Sequence, residues 1–256
     1  MRGELAIPAS TLLAFGLVLL RLVGIFVLIP LPVKDAGPSV ARIVFALAAT
    51  IALFPVWPHV DAAVTLGTVV GWVFSETALG LAIGLTVSFL AEAMTLGAQI
   101  LSQQAGYAYA SIVDPLTQAD SDVLPAATQV VAGLLFFTTG LNRVLISVLA
   151  ATLTAYPPGS FEVNRQLGTT IIRLSANMFN FGLRLALPVI GLLLMTDIAL
   201  ALVGRLNAQV HLGMQAFPVK MMLNLVALVA VFAAAPLLYE SFSGEVITTL
   251  RQYFVR

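Results

Sequence analysis

The sequence predicts an all-α, polytopic membrane protein of about six hydrophobic segments folded as helical hairpins. Three observations predict it. Hydrophobic residues make up 60% of the 256-residue chain and charged residues 9%, for a mean hydropathy of +1.02. A soluble domain carries roughly 25% charged residues, so a surface this short of charge calls for lipid as solvent. The apolar runs also reach the ~20 residues that cross a bilayer as a helix. Finally, they are apolar all round, without the alternation of a membrane β-barrel.

Taken in order, the segments cover residues 10–30, 40–57, 66–104, 123–151, 168–203 and 217–239. The first contains Arg21 and has no small-residue cleavage site, so it reads as a retained span rather than a signal peptide. Proline marks most boundaries: Pro30 and Pro32, Pro55 and Pro58, Pro157-Pro158-Gly159, and Phe217-Pro218 opening the last segment. Segments three and five exceed about 50 Å as straight helices at ~1.5 Å per residue. Each is expected to tilt and protrude or to break, with Gly97 and Pro188 as candidate break points. Basic residues give no positive-inside vote: Lys34, Arg42, Arg205 and Lys220 on one set of loops balance Arg2, Arg165, Arg251 and Arg256 on the other.

Seven charges fall inside apolar runs: Arg21, Glu76, Glu92, Arg143, Arg173, Arg184 and Asp197. A charge at the bilayer centre costs ~2.5–3.5 kcal/mol on insertion scales, so such groups pair, snorkel or line a polar conduit. Arg173, Asn177, Asn180 and Arg184 follow at i, i+4, i+7 and i+11, one face of a helix. This stripe is expected at a subunit interface or pore wall. Glu76, Gly80, Gly84, Ser88 and Glu92 recur every four residues, a spacing that lets helix backbones approach within the chain or against another subunit.

Between segments three and four, residues 106–122 form the most polar stretch, with three aspartates and no basic residue. A plain solvated loop with an Asp-Pro turn is one reading. A functional loop is the other, because long loops with aromatic and apolar members are seldom bare connectors.

Composition excludes several classes. The formal net charge is +0 and no basic block exists, which argues against nucleic acid. There is no cysteine, hence no disulfide or thiolate metal site. No metalloprotease, P-loop or nucleophile-elbow motif is present, and His59 and His211 stand isolated. We therefore expect neither enzyme activity nor a cofactor or metal. The intramembrane charges leave open a stand-alone secondary transporter, which should have related halves, and an intramembrane enzyme. No convincing internal repeat is found.

The ordered motifs resemble one family. Leu20-Arg21-Leu22-Val23-Gly24, then Pro30, Pro38, Arg42 and Pro55, are similar to the start of the FliR family, flagellar biosynthesis proteins and their type III secretion relatives. Glu76, Gly80 and Gly84 are similar to its third segment, and Gln104, Gly106, Ala110 and Asp114-Pro115 to its following loop. Gly140-Leu141-Asn142 and Pro157-Pro158-Gly159 resemble the next hairpin. Arg205, Gln209, Gly213, Phe217-Pro218 and Lys220 resemble its C-terminal signature, with Ala208 and His211 departing from the usual proline and asparagine. The resemblance spans nearly the whole chain. It implies one export-gate subunit, FliP-like over about 1–165 and FliQ-like over about 166–256, assembling with FliP and FliQ and joined by FlhB. It implies a site in the bacterial inner membrane at the flagellar basal body, partly above the membrane plane, passing unfolded exported proteins. The injectisome counterpart is the close alternative. It also implies that the loop Gly106, Tyr107, Tyr109, Ile112, Val113, Asp114, Pro115 and Leu116 plugs the pore.

Overall fold

In the computed structural model the described residues are 8–29, 38–60, 65–105, 123–206 and 212–255. They are helical, with no strand among them. The helices are α1 (Ala9–Leu28), α2 (Pro38–Ala52), α3 (Leu66–Ala105), α4 (Val123–Thr138), α5 (Leu141–Ala155), α6 (Arg165–Leu206) and α7 (Leu212–Phe254), with a single 3-10 turn at Phe54–Val56. Four are long and apolar enough to cross a membrane: α1, α3, α6 and the Pro218–Phe254 part of α7.

Two sequence expectations need correction, on segments four and six. Segment four is two helices bent by 66°. Gly140 takes φ +74°, a left-handed conformation that ends one helix and starts the next. Segment six starts before Pro218 and runs on to Phe254. Tyr239, Phe242, Val246, Leu250 and Phe254 give it a buried face at three- and four-residue spacing beyond the expected end. Of the two alternatives for segments three and five, the unbroken one holds: α3 and α6 run through Gly97 and Pro188 over 40 and 42 residues. Proline removes only one ladder bond, which neighbouring groups in a membrane protein can offset.

By packing, the chain divides into two units. Unit 1 takes residues 1–89, 136–174 and 244–256; unit 2 takes 90–135 and 175–243. This division does not bear on the two-part likeness drawn at about residue 165. In unit 1, α2 lies on α1, with the rings of Phe26 and Phe45 stacked at 6.4 Å. Ala14, Leu17 and Val60 form a core with Trp57 and Trp72 against it. The Trp57 indole N–H donates to the Thr50 carbonyl at 2.9 Å, satisfying one of the acceptors a helix leaves at its C-terminus. A type II turn follows α5: Ser160 N–H donates to Pro157 O at 3.0 Å across Pro158 and Gly159, whose φ is +78°. Asn164 then caps α6, its Oδ1 accepting from Leu167 N–H at 2.7 Å.

In unit 2, Leu101, Ala105, Leu124, Ala186, Val189, Leu193 and Ala227 make one apolar cluster. Phe181 and Phe242 stack at 5.3 Å. Outward-facing Leu187, Leu194, Met195, Ile198, Met222, Val226 and Val229 are exposed, a surface for hydrocarbon rather than water.

Candidate functional site

The chemistry in unit 1 centres on Arg21. Its guanidinium meets the Glu76 carboxylate twice, Nε to Oε2 at 2.6 Å and Nη2 to Oε1 at 2.9 Å. Nη1 donates to Thr152 Oγ1 at 3.2 Å, and Nη2 also donates to the Tyr156 carbonyl at 3.1 Å. Thr152 can accept because its own proton is directed to Leu149 O at 2.7 Å. The Tyr156 carbonyl is available because Tyr156 stands just past the end of α5. Tyr156 Oη donates to Tyr253 O at 2.8 Å, and Tyr253 Oη pairs with Thr170 Oγ1 at 2.9 Å. One charge thus links α1, α3 and the end of α5, and a tyrosine chain carries on to α6 and α7. The side chains of Arg21 and Glu76 are only 1% and 2% exposed. The bidentate geometry is the strong form of a charge-assisted pair. With its polar atoms engaged and no solvent contact, the node is a clamp between helices.

Glycines let the clamp close. A Cβ on Gly80 would sit 2.2 Å from the Arg21 carbonyl oxygen, and one on Gly84 2.9 Å from that of Ile25. On the facing helix, a Cβ on Gly24 would lie 3.0 Å from Leu81 N. The backbones of α1 and α3 therefore touch, with Leu22, Ile25, Leu79 and Ile83 fully buried beside them. Of the residues picked from the sequence, Glu76, Gly80 and Gly84 all meet α1 of the same chain. Gly67 and Gly71, also four residues apart on α3, face open space.

Unit 2 has its own seam. A Cβ on Gly97 would lie 3.0 Å from Gly182 O, and one on Gly182 2.8 Å from Ala93 O. Asp197 of α6 pairs with Lys220 of α7. The seven intramembrane charges therefore divide: Arg21, Glu76 and Asp197 are paired, while Glu92, Arg143, Arg173 and Arg184 are exposed.

The α6 stripe lies as its spacing requires, with Arg173, Asn180 and Arg184 exposed and Asn177 half-buried. A second polar ladder escaped the sequence reading: Glu92, Gln99 and Gln103 of α3, at i, i+7 and i+11, all exposed. Its signal was present, hidden by the small residues that drew attention to this helix. At about 100° per residue, Glu92 and Gln99 lie roughly 140–160° around α3 from Gly97. Asn177 and Asn180 lie as far around α6 from Gly182. Across the glycine seam the two ladders face away from each other. The loop residues Gly106, Tyr107, Tyr109, Ile112, Val113, Asp114, Pro115 and Leu116 lie outside the described residues.

Comparison with known sequences bears on this arrangement. Residues 12–246 match the profile of the bacterial export proteins, family 1. The chain is 27% identical over 232 residues to the flagellar biosynthetic protein FliR of Escherichia coli K12, covering 91% of this chain and 89% of that one. It is 24% identical over 249 residues to FliR of Bacillus subtilis 168, covering 93% of each. It is 25% identical over 193 residues to FliR of Caulobacter vibrioides, covering 75% of this chain and 77% of that one.

Proposed function

The chain belongs to the bacterial export proteins, family 1, and from that membership we propose that it is a subunit of the protein-conducting gate of a flagellar type III export apparatus. The observation that carries the reading is the length of the match, which runs along nearly the whole chain in both an Escherichia coli and a Bacillus subtilis relative. Those relatives carry flagellar names, which favours a flagellar over an injectisome role. The gate stands in the bacterial inner membrane at the flagellar basal body, and the subunit passes unfolded flagellar proteins without chemistry of its own.

The fold supports this as a part made for neighbours. Polar ladders cannot rest against lipid, where unsatisfied groups cost several kcal/mol each. Arg173 and Asn180 on α6, and Glu92, Gln99 and Gln103 on α3, point away from their own seams. A subunit with unlike polar faces on two sides suits a heterologous ring or helix, in which each interface joins two different patches. The neighbours proposed are FliP and FliQ, with FlhB joining the assembly. The stretch Gly106 to Asp122 closes the pore at rest: Tyr107, Tyr109, Ile112, Val113 and Leu116 supply bulk, and Asp114, Asp120 and Asp122 stay hydrated in the lumen.

The test has two parts. Deleting the gene in its host should stop secretion of filament protein while its synthesis continues, and a tagged chain extracted in mild detergent should bring FliP, FliQ and FlhB with it. Continued secretion would overturn the function. Isolation as a lone chain with intact secretion would overturn the partners.

A further inference from the structure

The turn that follows α5 frames a pocket in unit 1 that the proposed function does not use. Tyr156, Phe161 and Tyr253 line it together with Glu162, and its cavity is about 360 Å³. Residues 156–164 join α5 to α6 outside the candidate membrane spans. Local chemistry builds the walls. The turn at Pro158 and Gly159 brings the chain back over the end of α5, where the Phe161 ring meets that of Tyr156 edge-on with centroids 5.9 Å apart. The Tyr156 hydroxyl donates to the Tyr253 carbonyl at 2.8 Å, which ties the last turn of α7 to the same place.

The polar groups that remain decide the sign of the occupant. The hydroxyl protons of Tyr156 and Ser160 are committed, to Tyr253 O and to Pro157 O, and Asn164 Oδ1 holds the Leu167 N–H at the start of α6. No basic residue lines the pocket; Arg165 and Arg251 are exposed outside it. The Glu162 carboxylate is exposed and in no ion pair among the described residues. Both α5 and α7 end here, and helix C-termini carry partial negative charge. A carboxylate among aromatic faces is a site for a cation. Pro157, Ser160 and Glu162 leave the rim open, so the pocket encloses a head group whose stem runs out to a larger body. A planar guanidinium suits it better than an ammonium, because it stacks on rings, pairs with a carboxylate through two N–H donors and is more weakly hydrated. We propose that this pocket binds an arginine side chain of another polypeptide, its guanidinium against the aromatic walls and paired with Glu162. The inference rests on the chemistry of the pocket alone, so it stands or falls apart from the export reading.

Saturation-transfer difference NMR tests it, on the purified full-length chain in an uncharged detergent. The probes are N-acetyl-argininamide, its neutral isostere N-acetyl-citrullinamide, and N-acetyl-lysinamide. The expected result is saturable binding of the arginine probe, about fivefold tighter than the citrulline probe, the scale of one cation–π contact at an exposed site. The lysine probe should fall between them. Glu162→Gln should remove most of the preference for arginine over citrulline while keeping the fold, since the side chain is exposed. Phe161→Leu should weaken the arginine probe several-fold with an unchanged circular dichroism spectrum; should that variant misfold, Glu162→Gln still decides. Equal binding of the arginine and citrulline probes by the unaltered chain, or an undiminished preference in Glu162→Gln, would overturn the proposal. Lysine binding as tight as arginine binding would overturn the assignment to a guanidinium.

Discussion

Replacing Glu76 with alanine removes two of the four hydrogen bonds on the Arg21 guanidinium, and both of those to a charge. The arginine stays where it is, 1% exposed on a helix whose backbone touches α3, and cannot reach water without separating the two. The loss is therefore that of an orphaned buried charge, about 3–5 kcal/mol, and not the net worth of the pair. At ~1.4 kcal/mol per tenfold, this shifts the folding equilibrium by roughly a hundredfold to several thousandfold. Reversible unfolding in mixed micelles, followed by near-ultraviolet circular dichroism, reads the shift directly. The double variant Arg21→Met with Glu76→Leu removes the charge along with its partner. It should recover most of the loss, because apolar residues of similar volume often replace a buried pair at little cost. The reasoning fails if Glu76→Ala unfolds within about 0.5 kcal/mol of the unaltered chain, or if the double variant is no more stable than the single one.

Three further outcomes are expected. Gly84→Leu drives a side chain into the Ile25 carbonyl, which a Cβ alone would approach to 2.9 Å; it should cost at least the ~1–3 kcal/mol of an overpacked core, and unchanged thermal stability would show that the seam can open freely. Arg173→Leu should leave membrane insertion of the chain intact and lower recovery of the multi-subunit complex several-fold on size-exclusion chromatography; full recovery would remove this position from the interface. Deleting residues 110–116 should raise single-channel conductance of the assembled complex in planar bilayers without preventing assembly, and wild-type conductance would assign closure to another subunit.

The fold class was legible because composition alone decides it: a chain with 9% charged residues has no soluble solution. Helix starts next to proline and the α6 stripe were legible for similarly local reasons, fixed φ and a fixed 3.6-residue period. The break at Gly140 was not, because a glycine inside an apolar run is tolerated in a helix as readily as it ends one. The extension of α7 was missed because Glu240, Ser241, Ser243 and Glu245 lower local hydropathy, while the buried face from Tyr239 to Phe254 passes between them. The clamp was half legible. Arg21 and Glu76 stood out as charges in apolar helices, but 55 residues separate them, and no local rule says which acid answers which base. Thr152 and the Tyr156 carbonyl carry no sequence signal at all as arginine ligands.

The clamp also sets a schedule for making the protein. When α1 leaves the ribosome, Arg21 enters the bilayer alone and carries its insertion penalty of ~2.5–3.5 kcal/mol. Its counter-charge lies 55 residues downstream, about 3–11 s later at ~5–20 residues per second. Thr152 is 131 residues downstream, so the guanidinium waits longer still for its remaining ligands. Until then α1 is a metastable nascent segment, held by its own apolar length and by whatever the insertion machinery provides. Its docking onto α3 is a post-insertional event that releases it. A ribosome stalled between Arg21 and Glu76 would thus leave an N-terminal segment whose one charge has no counter-charge, kept in the membrane by its leucines, valines, isoleucine and phenylalanines alone.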